Sequence, residues 1–259
     1  MRFIEDIKKY RGYIKYAIKS GLKAEVAGSY LNWLWWILEP FCFMLIYATI
    51  FGMIFETSEL YFPVFIFVGN AMWTFFSKCI GLSVSLVKQN ETIIAKVYVP
   101  KYVLLLVEMG INGVKLLLNF VIVAIMLFFF RIPISIYVIW SVPILLIFFI
   151  NTFAIAVFFM HWGVYIEDLA YVVSIVLNMM MFFTGVFYSV ESRLDYPYGI
   201  LLGTLNPVAF LMTSMRKAVM YSQCPDVGLF IIWGMISVII ALFGIRMLYK
   251  NENDYVKVI

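Results

Sequence analysis

The chain has 259 residues, of which 64% are hydrophobic and 13% are charged, and its net charge is +4. A soluble domain is about 45–50% apolar and about 25% charged, so the composition excludes an ordinary soluble protein and indicates one surrounded mostly by lipid. Three scattered cysteines and the single histidine, His161, predict neither a disulfide framework nor a metal site. We expect one helical membrane domain over residues 1–259.

Six hydrophobic segments are long enough to cross a bilayer, because a spanning helix needs about 20 mostly apolar residues. They cover residues 33–55, 62–87, 102–130, 137–160, 169–188 and 229–248. The predicted fold class is an all-α membrane protein with six transmembrane helices, an N-terminal amphipathic interface helix and two short extracytoplasmic re-entrant helices.

The distribution of positive charge predicts the orientation. Six spans place residues 1–32, the 88–101 loop and the tail on one side, where thirteen Lys and Arg residues lie, against four on the other side. Because short cytoplasmic loops are enriched in Lys and Arg, we expect both termini in the cytoplasm, in a multi-pass protein of the inner (cytoplasmic) membrane.

Residues 4–28 alternate apolar and basic positions at helical spacing. This pattern predicts an amphipathic helix lying on the cytoplasmic membrane surface, within an interface segment of residues 1–32. A solvated basic leader is the alternative.

The loop 88–101, KQNETIIAKVYVPK, has an apolar centre at Ile93 and Ile94. Asn90 is a candidate N-cap for a short helix, which Pro100 would end. An ordinary connecting loop is the alternative.

The outer segment 191–226 contains two apolar pieces, 198–205 and 207–215, each too short to span. Backbone at membrane depth must be buried in protein or line a cavity. We therefore predict two re-entrant or interfacial helices, broken at Asn206–Pro207.

Polar side chains inside the predicted spans are expected to face protein or water, because lipid penalises them. On the third span Glu108, Asn112, Lys115 and Asn119 are spaced by four, three and four residues, so they share one helix face. Interhelical hydrogen bonding is the plainer role for this face, and a substrate contact or a proton relay are the others. Estimated depths make a Glu39–Lys78 or a Lys78–Glu108 ion pair feasible.

Aromatic residues make up 19% of the chain. Trp33, Trp35 and Trp36 fit an interfacial belt, but other aromatic residues lie within the spans. Sugar rings stack on aromatic faces, so seven residues are candidates for a glycan path, although lipid contact or packing is the plainer role of any single one. The seven are Phe43, Tyr47, Phe51, Trp73, Phe182, Phe183 and Tyr188.

Four stretches carry a resemblance to a known family: residues 28–40 (GSYLNWLWWILEP), 90–101 (NETIIAKVYVPK), 165–188 (with YIEDL and FFTGVFY), and 205–216 (with LNPV and Arg216). In this order they resemble the ABC-2 type exporter permeases, in the branch that exports O-antigen, capsular polysaccharide and teichoic acid. The resemblance covers essentially the whole chain. Asn32 stands where the family usually has a small residue, Glu167 where it has arginine, and Gly185 where it has proline.

The resemblance implies partners and site residues. Such permeases act as homodimers with two copies of a cytoplasmic ABC ATPase, and they export a lipid-linked glycan. The chain has no phosphate-binding loop, so it would hold no cofactor itself, and the partner would bind ATP and Mg²⁺. Membrane lipid is a further expected partner, and no nucleic acid is expected. The implied gate residues are Asn206, Pro207 and Arg216. The implied ATPase-coupling residues are Asn90, Glu91, Ile93, Ile94, Lys96, Tyr98, Pro100 and Lys101.

Two other functions remain open from the residues. An ABC-2 exporter of drugs or lipids has the same layout, although the aromatic content and the short outer helices favour a glycan. A membrane-embedded transferase would need a cluster of acids and histidine, for which His161, Glu167 and Asp168 are the candidates. We expect no catalytic residues.

Overall fold

The computed structural model of the protein describes residues 2–28, 30–54, 59–190, 197–252 and 254–255, and this part of the chain contains helices and no strand, as predicted. A π-helical turn, Ile50–Ile54, extends α2, and short 3₁₀ turns precede α2 and α6. The α-helices are α1 (Arg2–Val26), α2 (Trp35–Thr49), α3 (Phe62–Gln89), α4 (Glu91–Lys96), α5 (Lys101–Phe129), α6 (Ser141–Tyr165), α7 (Leu169–Phe183), α8 (Tyr198–Leu205), α9 (Pro207–Val219) and α10 (Val227–Lys250).

Five helical segments of the described chain have the length and composition of a membrane span: α2 with its π-turn, α3, α5, α6 with its preceding 3₁₀ turn, and α10. They match five of the six predicted segments. The fifth predicted span, 169–188, forms only the 15 residues of α7, which ends at Phe183. At 1.5 Å per residue α7 is roughly 22 Å long, shorter than the hydrocarbon core of about 30 Å. Helices α8 and α9 meet at an angle of 94° across a short break. The pair makes a sixth span only if the two bent helices together are counted as one segment.

Helix α3 lies at the centre of the fold and packs against α2, α5, α6, α7 and α9. Apolar side chains cover most of its surface, which suits a helix with neighbours on several sides. Buried side chains extend along it from Phe62 to Val87. By contrast, α2 and α7 expose most of their side chains, because each has protein on one side only.

The two ends of the bundle are defined by side-chain contacts. At one end, which we call the terminal end, the Tyr102 and Tyr249 hydroxyls each lie within hydrogen-bonding distance of the Asp6 carboxylate, at 3.1 and 2.6 Å. These hydrogen bonds bring the start of α1, the start of α5 and the end of α10 together. The first and last described residues therefore lie at the same end of the bundle as the 88–101 segment.

The C-terminal residues extend this cluster. Tyr255 is fully buried and its hydroxyl shares a 2.6 Å hydrogen bond with Nδ1 of His161. Burial raises the pKa of the Tyr255 phenol, so the hydroxyl keeps its proton. The chain after α10 is thereby fixed to the end of α6.

The amphipathic helix predicted over 4–28 forms as α1, Arg2–Val26. It follows α5 from Phe3, whose ring lies 5.1 Å from that of Tyr102, to Glu25, whose carboxylate pairs with Lys115 at 2.6 Å. Lys115 lies fourteen residues into α5, roughly 21 Å from its start. Helix α1 therefore packs along the first half of α5.

Candidate functional site: a polar cavity beside the central helix

A cavity of about 610 Å³ lies between α2, α3 and α5, with the end of α1 and Met181 of α7 at its border. We call it the polar cavity, because charged, amide and hydroxyl side chains alternate there with aromatic ones. Ligand sites in proteins commonly have volumes of about 300–1,000 Å³, so this cavity is large enough for a small ligand or one unit of a polymer.

Helix α5 contributes a polar stripe to the cavity. Three of the four residues predicted to share one face, Asn112, Lys115 and Asn119, line it. Glu108 is half-buried, lies one turn closer to the terminal end and is not part of the lining. The backbone carbonyl of Glu108 accepts a 3.0 Å hydrogen bond from the Asn112 amide, which leaves the Asn112 oxygen for other partners.

Helix α3 contributes a second stripe that the sequence analysis missed. Asn70, Thr74 and Ser77, spaced by four and three residues, line the cavity together with Lys78. The spacing is visible in the sequence, but Thr and Ser are common in spanning helices and gave no reason to single them out. Asn70 is buried, so its amide lies in the protein interior.

Helix α2 contributes acidic and aromatic groups. Glu39, Phe43 and Tyr47 line the cavity at successive four-residue steps, and Trp36 lies one turn before Glu39. Trp73 of α3 adds a further ring. Of the seven aromatic residues predicted for a glycan path, the cavity thus contains Phe43, Tyr47 and Trp73.

The ion pairs predicted inside the membrane, Glu39–Lys78 and Lys78–Glu108, are wrong for the part of the chain that the structure describes. The Lys115 ammonium pairs instead with both carboxylate oxygens of Glu25, each at 2.6 Å. The packing of α1 along α5 brings Glu25 to Lys115. Glu39 and Lys78 both border the cavity.

One acceptor in the cavity lining has no hydrogen-bond partner. The side-chain oxygen of Asn119 is buried and unbonded, and the residue is only 4% exposed. An unsatisfied buried polar atom costs about 1–3 kcal/mol, so this oxygen lowers the stability of the bundle at this position of α5.

Two of the four remaining aromatic candidates, Phe51 and Phe182, contact the buried ring of Phe187, which Tyr47 of the cavity also contacts at 4.7 Å. Phe51 stacks on the Phe187 ring at 4.5 Å, and Phe182 lies 5.7 Å from it. Tyr188 donates a 2.6 Å hydrogen bond to the Phe182 carbonyl. Phe183 is exposed at the end of α7. A role for these four in a glycan path stays a prediction.

The predicted coupling segment lies at the terminal end, where α4 covers only Glu91–Lys96. Asn90 occupies the N-cap position of α4, as predicted, but its side chain makes no capping hydrogen bond, and its amide donates back to the Leu86 carbonyl at 2.9 Å. The predicted end of the helix is wrong. Pro100 does not end α4; it directly precedes α5, after Val97 has already turned to extended backbone.

The coupling segment combines an exposed surface with a fixed base. Glu91, Ile93, Lys96 and Tyr98 are exposed, Asn90 and Ile94 are partly buried, and Pro100 and Lys101 are buried. Tyr98 donates a 2.8 Å hydrogen bond to Glu252, which also lies 3.8 Å from the Lys101 ammonium. The Tyr98 carbonyl accepts a 2.9 Å hydrogen bond from Tyr10. The segment is therefore held by both ends of the chain while one side remains open.

The predicted gate lies at the opposite end, although residues 191–196 of its range fall outside the described chain. Helices α8 and α9 break at Asn206–Pro207, as predicted. The Asn206 oxygen accepts hydrogen bonds from the backbone N–H groups of Val208 and Ala209, and Pro207 occupies the first helical position, where it needs no N–H partner. The Asn206 amide donates to Thr184, at 3.3 Å.

Arg216, assigned to the gate by resemblance, is buried and is held by backbone carbonyls. Its guanidinium donates to Phe65, Gly185 and Val186 at 3.2, 2.7 and 2.9 Å, and it stacks on the Phe65 ring at 3.5 Å. Charge-assisted hydrogen bonds offset the cost of burying the charge. Arg216 thus joins α9 to α3 and to the turn that follows α7. We call this arrangement the arginine clamp.

Gly185 explains a departure from the family pattern. Its φ is +73°, which proline cannot adopt because its ring fixes φ near −65°. The turn at this position therefore requires a residue other than proline, and the Gly185 carbonyl accepts a hydrogen bond from Arg216.

Tyr221 and Glu59 form a further contact at this end, at 3.4 Å. Burial, together with the nearby Glu59 carboxylate, raises the pKa of Tyr221 to about 12. The phenol therefore keeps its proton and remains the donor at physiological pH.

The residues considered for a transferase do not converge. His161 contacts Tyr255, whereas Glu167 is exposed and lies 3.7 Å from Lys88. In the described ranges no three His, Cys, Asp or Glu side chains are grouped as a metal site would require.

Comparison with known proteins identifies the class of protein. The profile of the ABC-2 type transporter family matches residues 14–220, which is most of the chain, and the protein therefore belongs to that family. The O-antigen export system permease protein RfbA of Myxococcus xanthus is 28% identical over 258 residues, covering 98% of this chain and 97% of that protein. An RfbA protein of the same description from Klebsiella pneumoniae is 26% identical over 200 residues, covering 77% and 76%.

Proposed function

We propose that the protein is the membrane permease subunit of an ATP-driven exporter that moves a lipid-linked polysaccharide out of the cytoplasm. The relatives named as O-antigen export permeases support the substrate class, and the match to one of them extends over nearly the whole chain. An exporter of drugs or lipids is less favoured, since the relatives reported above are all named for O-antigen export.

The proposal rests on the exposed surface formed by α4 and the two residues that follow it. Ile93, Val97 and Tyr98 are 39%, 59% and 51% exposed, and they lie beside the exposed charges of Glu91 and Lys96. Apolar side chains within a charged border are typical of a protein contact. A separate ATPase docked there moves α3 and α5 directly, because α4 joins the end of one to the start of the other.

Further parts of the proposal follow from this assignment. The terminal end faces the cytoplasm of a cell with both termini inside, and ATP and Mg²⁺ bind to two ATPase subunits. Two copies of the chain form the pathway, for which the exposed faces of α2 and α7 are available. Transport requires nucleotide binding to change the conformation of the pathway. Nucleotide can do this only if it binds one conformation of the exporter more tightly than the other.

The test is charge reversal on α4, with Glu91→Lys and Lys96→Glu combined so that the net charge is unchanged. We expect the double variant to fold and to lose most of its export activity, because the charges at the docking surface are inverted. The measurement is polysaccharide at the cell surface, with ATPase co-purification measured in parallel.

Arg131→Glu is the control, since Arg131 is exposed at the end opposite α4. It should leave ATPase binding intact. Normal export and normal co-purification by the α4 double variant would overturn the docking assignment.

A further inference from the structure

Tyr98 belongs to the proposed docking surface but lies outside the helices. Helix α4 ends at Lys96, and Val97 is already in extended backbone. Tyr98 is 51% exposed and stands between this extended residue and the start of α5. An exposed tyrosine outside a helix has several rotamers open to it, and a partner protein must order the side chain on binding unless the free chain already does so.

Contacts from both ends of the chain hold Tyr98. Its hydroxyl donates a 2.8 Å hydrogen bond to the Glu252 carboxylate, and its carbonyl accepts one of 2.9 Å from the Tyr10 hydroxyl. The Lys101 ammonium lies 5.9 Å from the centre of its ring, within the range of a cation–π contact. The side chain and the backbone of Tyr98 are thus fixed separately.

Glu252 is itself held in place, so it is able to position another residue. Its side chain is only 12% exposed, and its carboxylate lies 3.8 Å from the buried Lys101 ammonium. Three residues further along, Tyr255 is fully buried and shares a 2.6 Å hydrogen bond with His161 of α6. Glu252 is therefore anchored by α10 before it and by Tyr255 after it.

From these contacts we propose that Glu252 is a positioning residue for the ATPase. Its hydrogen bond holds the Tyr98 ring in the conformation that the docked ATPase contacts. The ATPase then binds a side chain that is already ordered, and association loses less conformational freedom. This inference rests on the proposed function, and it adds that the chain after α10 contributes to docking through Tyr98.

The first measurement uses the full chain in lipid nanodiscs, without an ATPase. Fluorotyrosine at position 98 reports the mobility of the ring through the width of its fluorine NMR line. We expect a broad line with Glu252 present and a narrower line in Glu252→Ala. Glu252→Gln should keep the broad line, because its amide oxygen still accepts a hydrogen bond from the hydroxyl.

The second measurement is the affinity of the same chain for the purified ATPase. Glu252→Ala and Tyr98→Phe should each weaken binding roughly threefold to tenfold, the effect of having to order one side chain on association. The double variant should bind no more weakly than Tyr98→Phe alone, because Glu252 acts through the Tyr98 hydroxyl. Glu252→Gln should bind as the wild-type chain does. A purely structural role of Glu252 would instead give losses that multiply.

Glu167→Ala is the matched control. It also removes a carboxylate at the terminal end, one that lies 3.7 Å from Lys88, but its side chain is 89% exposed. The variant should change neither the width of the fluorine line nor the affinity for the ATPase.

A line that stays broad in Glu252→Ala would overturn the proposal, as would losses that multiply in the double variant. If Glu252→Ala does not fold because Lys101 has lost its counterion, Tyr98→Phe decides, and unchanged affinity in that variant contradicts the role of the hydroxyl. No ATPase binding by the wild-type chain would refute the proposed function and this inference with it. Normal wild-type binding that none of these variants weakens would refute this inference alone.

Discussion

At the scale of single residues, the arginine clamp fixes the outer part of the fold. Three carbonyls from two separate segments converge on Arg216, and none of them belongs to its own helix. Removing the guanidinium would take away a partner of the Gly185 and Val186 carbonyls, and an unsatisfied buried group costs about 1–3 kcal/mol. The clamp therefore sets the position of α9 more strictly than apolar packing would.

Gly69 makes room for the clamp, and Gly69→Ala tests it. A Cβ at this position would collide with the Arg216 guanidinium and would lie 3.0 Å from the Val186 carbonyl oxygen. We expect a loss of about 1–3 kcal/mol in stability, the usual cost of overpacking, seen as a lower melting temperature of the purified protein.

Gly81→Ala is the control on the same helix, where a Cβ would meet nothing within 4 Å. There the better helix propensity of alanine should keep or raise the melting temperature. An equal decrease in both variants would mean that α3 tolerates no alanine at either site, and that the clamp is not the cause.

At the scale of elements, the position of α1 depends on tertiary contacts. Its apolar and basic pattern identified the helix, because amphipathic periodicity is encoded locally. The position of α1 along α5 cannot be predicted from that local pattern, because it depends on which residues of α5 contact Phe3 and Glu25. The same reason explains why the Glu25–Lys115 pair was not predicted, because the two residues meet only when α1 packs on α5.

A charge exchange tests the docking of α1. Glu25→Lys or Lys115→Glu alone places like charges together and should increase proteolysis of the second half of α1, whereas the double exchange should restore protection. The Glu25 side chain is 41% exposed, so we expect a coupling energy of at most about 1 kcal/mol. Hydrogen exchange across α1 gives the same comparison.

The exposed Lys23, two residues from Glu25, provides the control as Lys23→Glu. It should change protection little. A double exchange that remains as labile as the single variants would show that the 2.6 Å pair does not hold α1.

At the scale of the whole molecule, hydropathy predicted the all-α class, five full-length spans and the break at Asn206–Pro207, because these depend on composition and local backbone chemistry. The fifth span was predicted too long, since the apolar residues after Phe183 form a buried turn instead of helix. Half of the candidate site was also predictable: the stripe on α5 follows from spacing alone. The α3 stripe and the unbonded Asn119 oxygen required the packed structure, because they depend on which faces meet.

The two ends of the molecule have different roles in this account. The terminal end ties both termini, α5 and α10 to the coupling segment through Asp6, Tyr98 and Glu252. The opposite end is closed by the clamp. Between them lies the polar cavity, so movement of α3 and α5 at the coupling segment changes the walls of the cavity.

We propose that this chain provides the pathway and that a separate ATPase provides the energy. The most direct test is reconstitution of the purified chain in liposomes containing the lipid-linked polysaccharide, with and without the purified ATPase. We predict transfer of polysaccharide across the membrane only when both proteins and ATP are present, and none with a hydrolysis-deficient ATPase. Equal transfer by the chain alone would contradict the account.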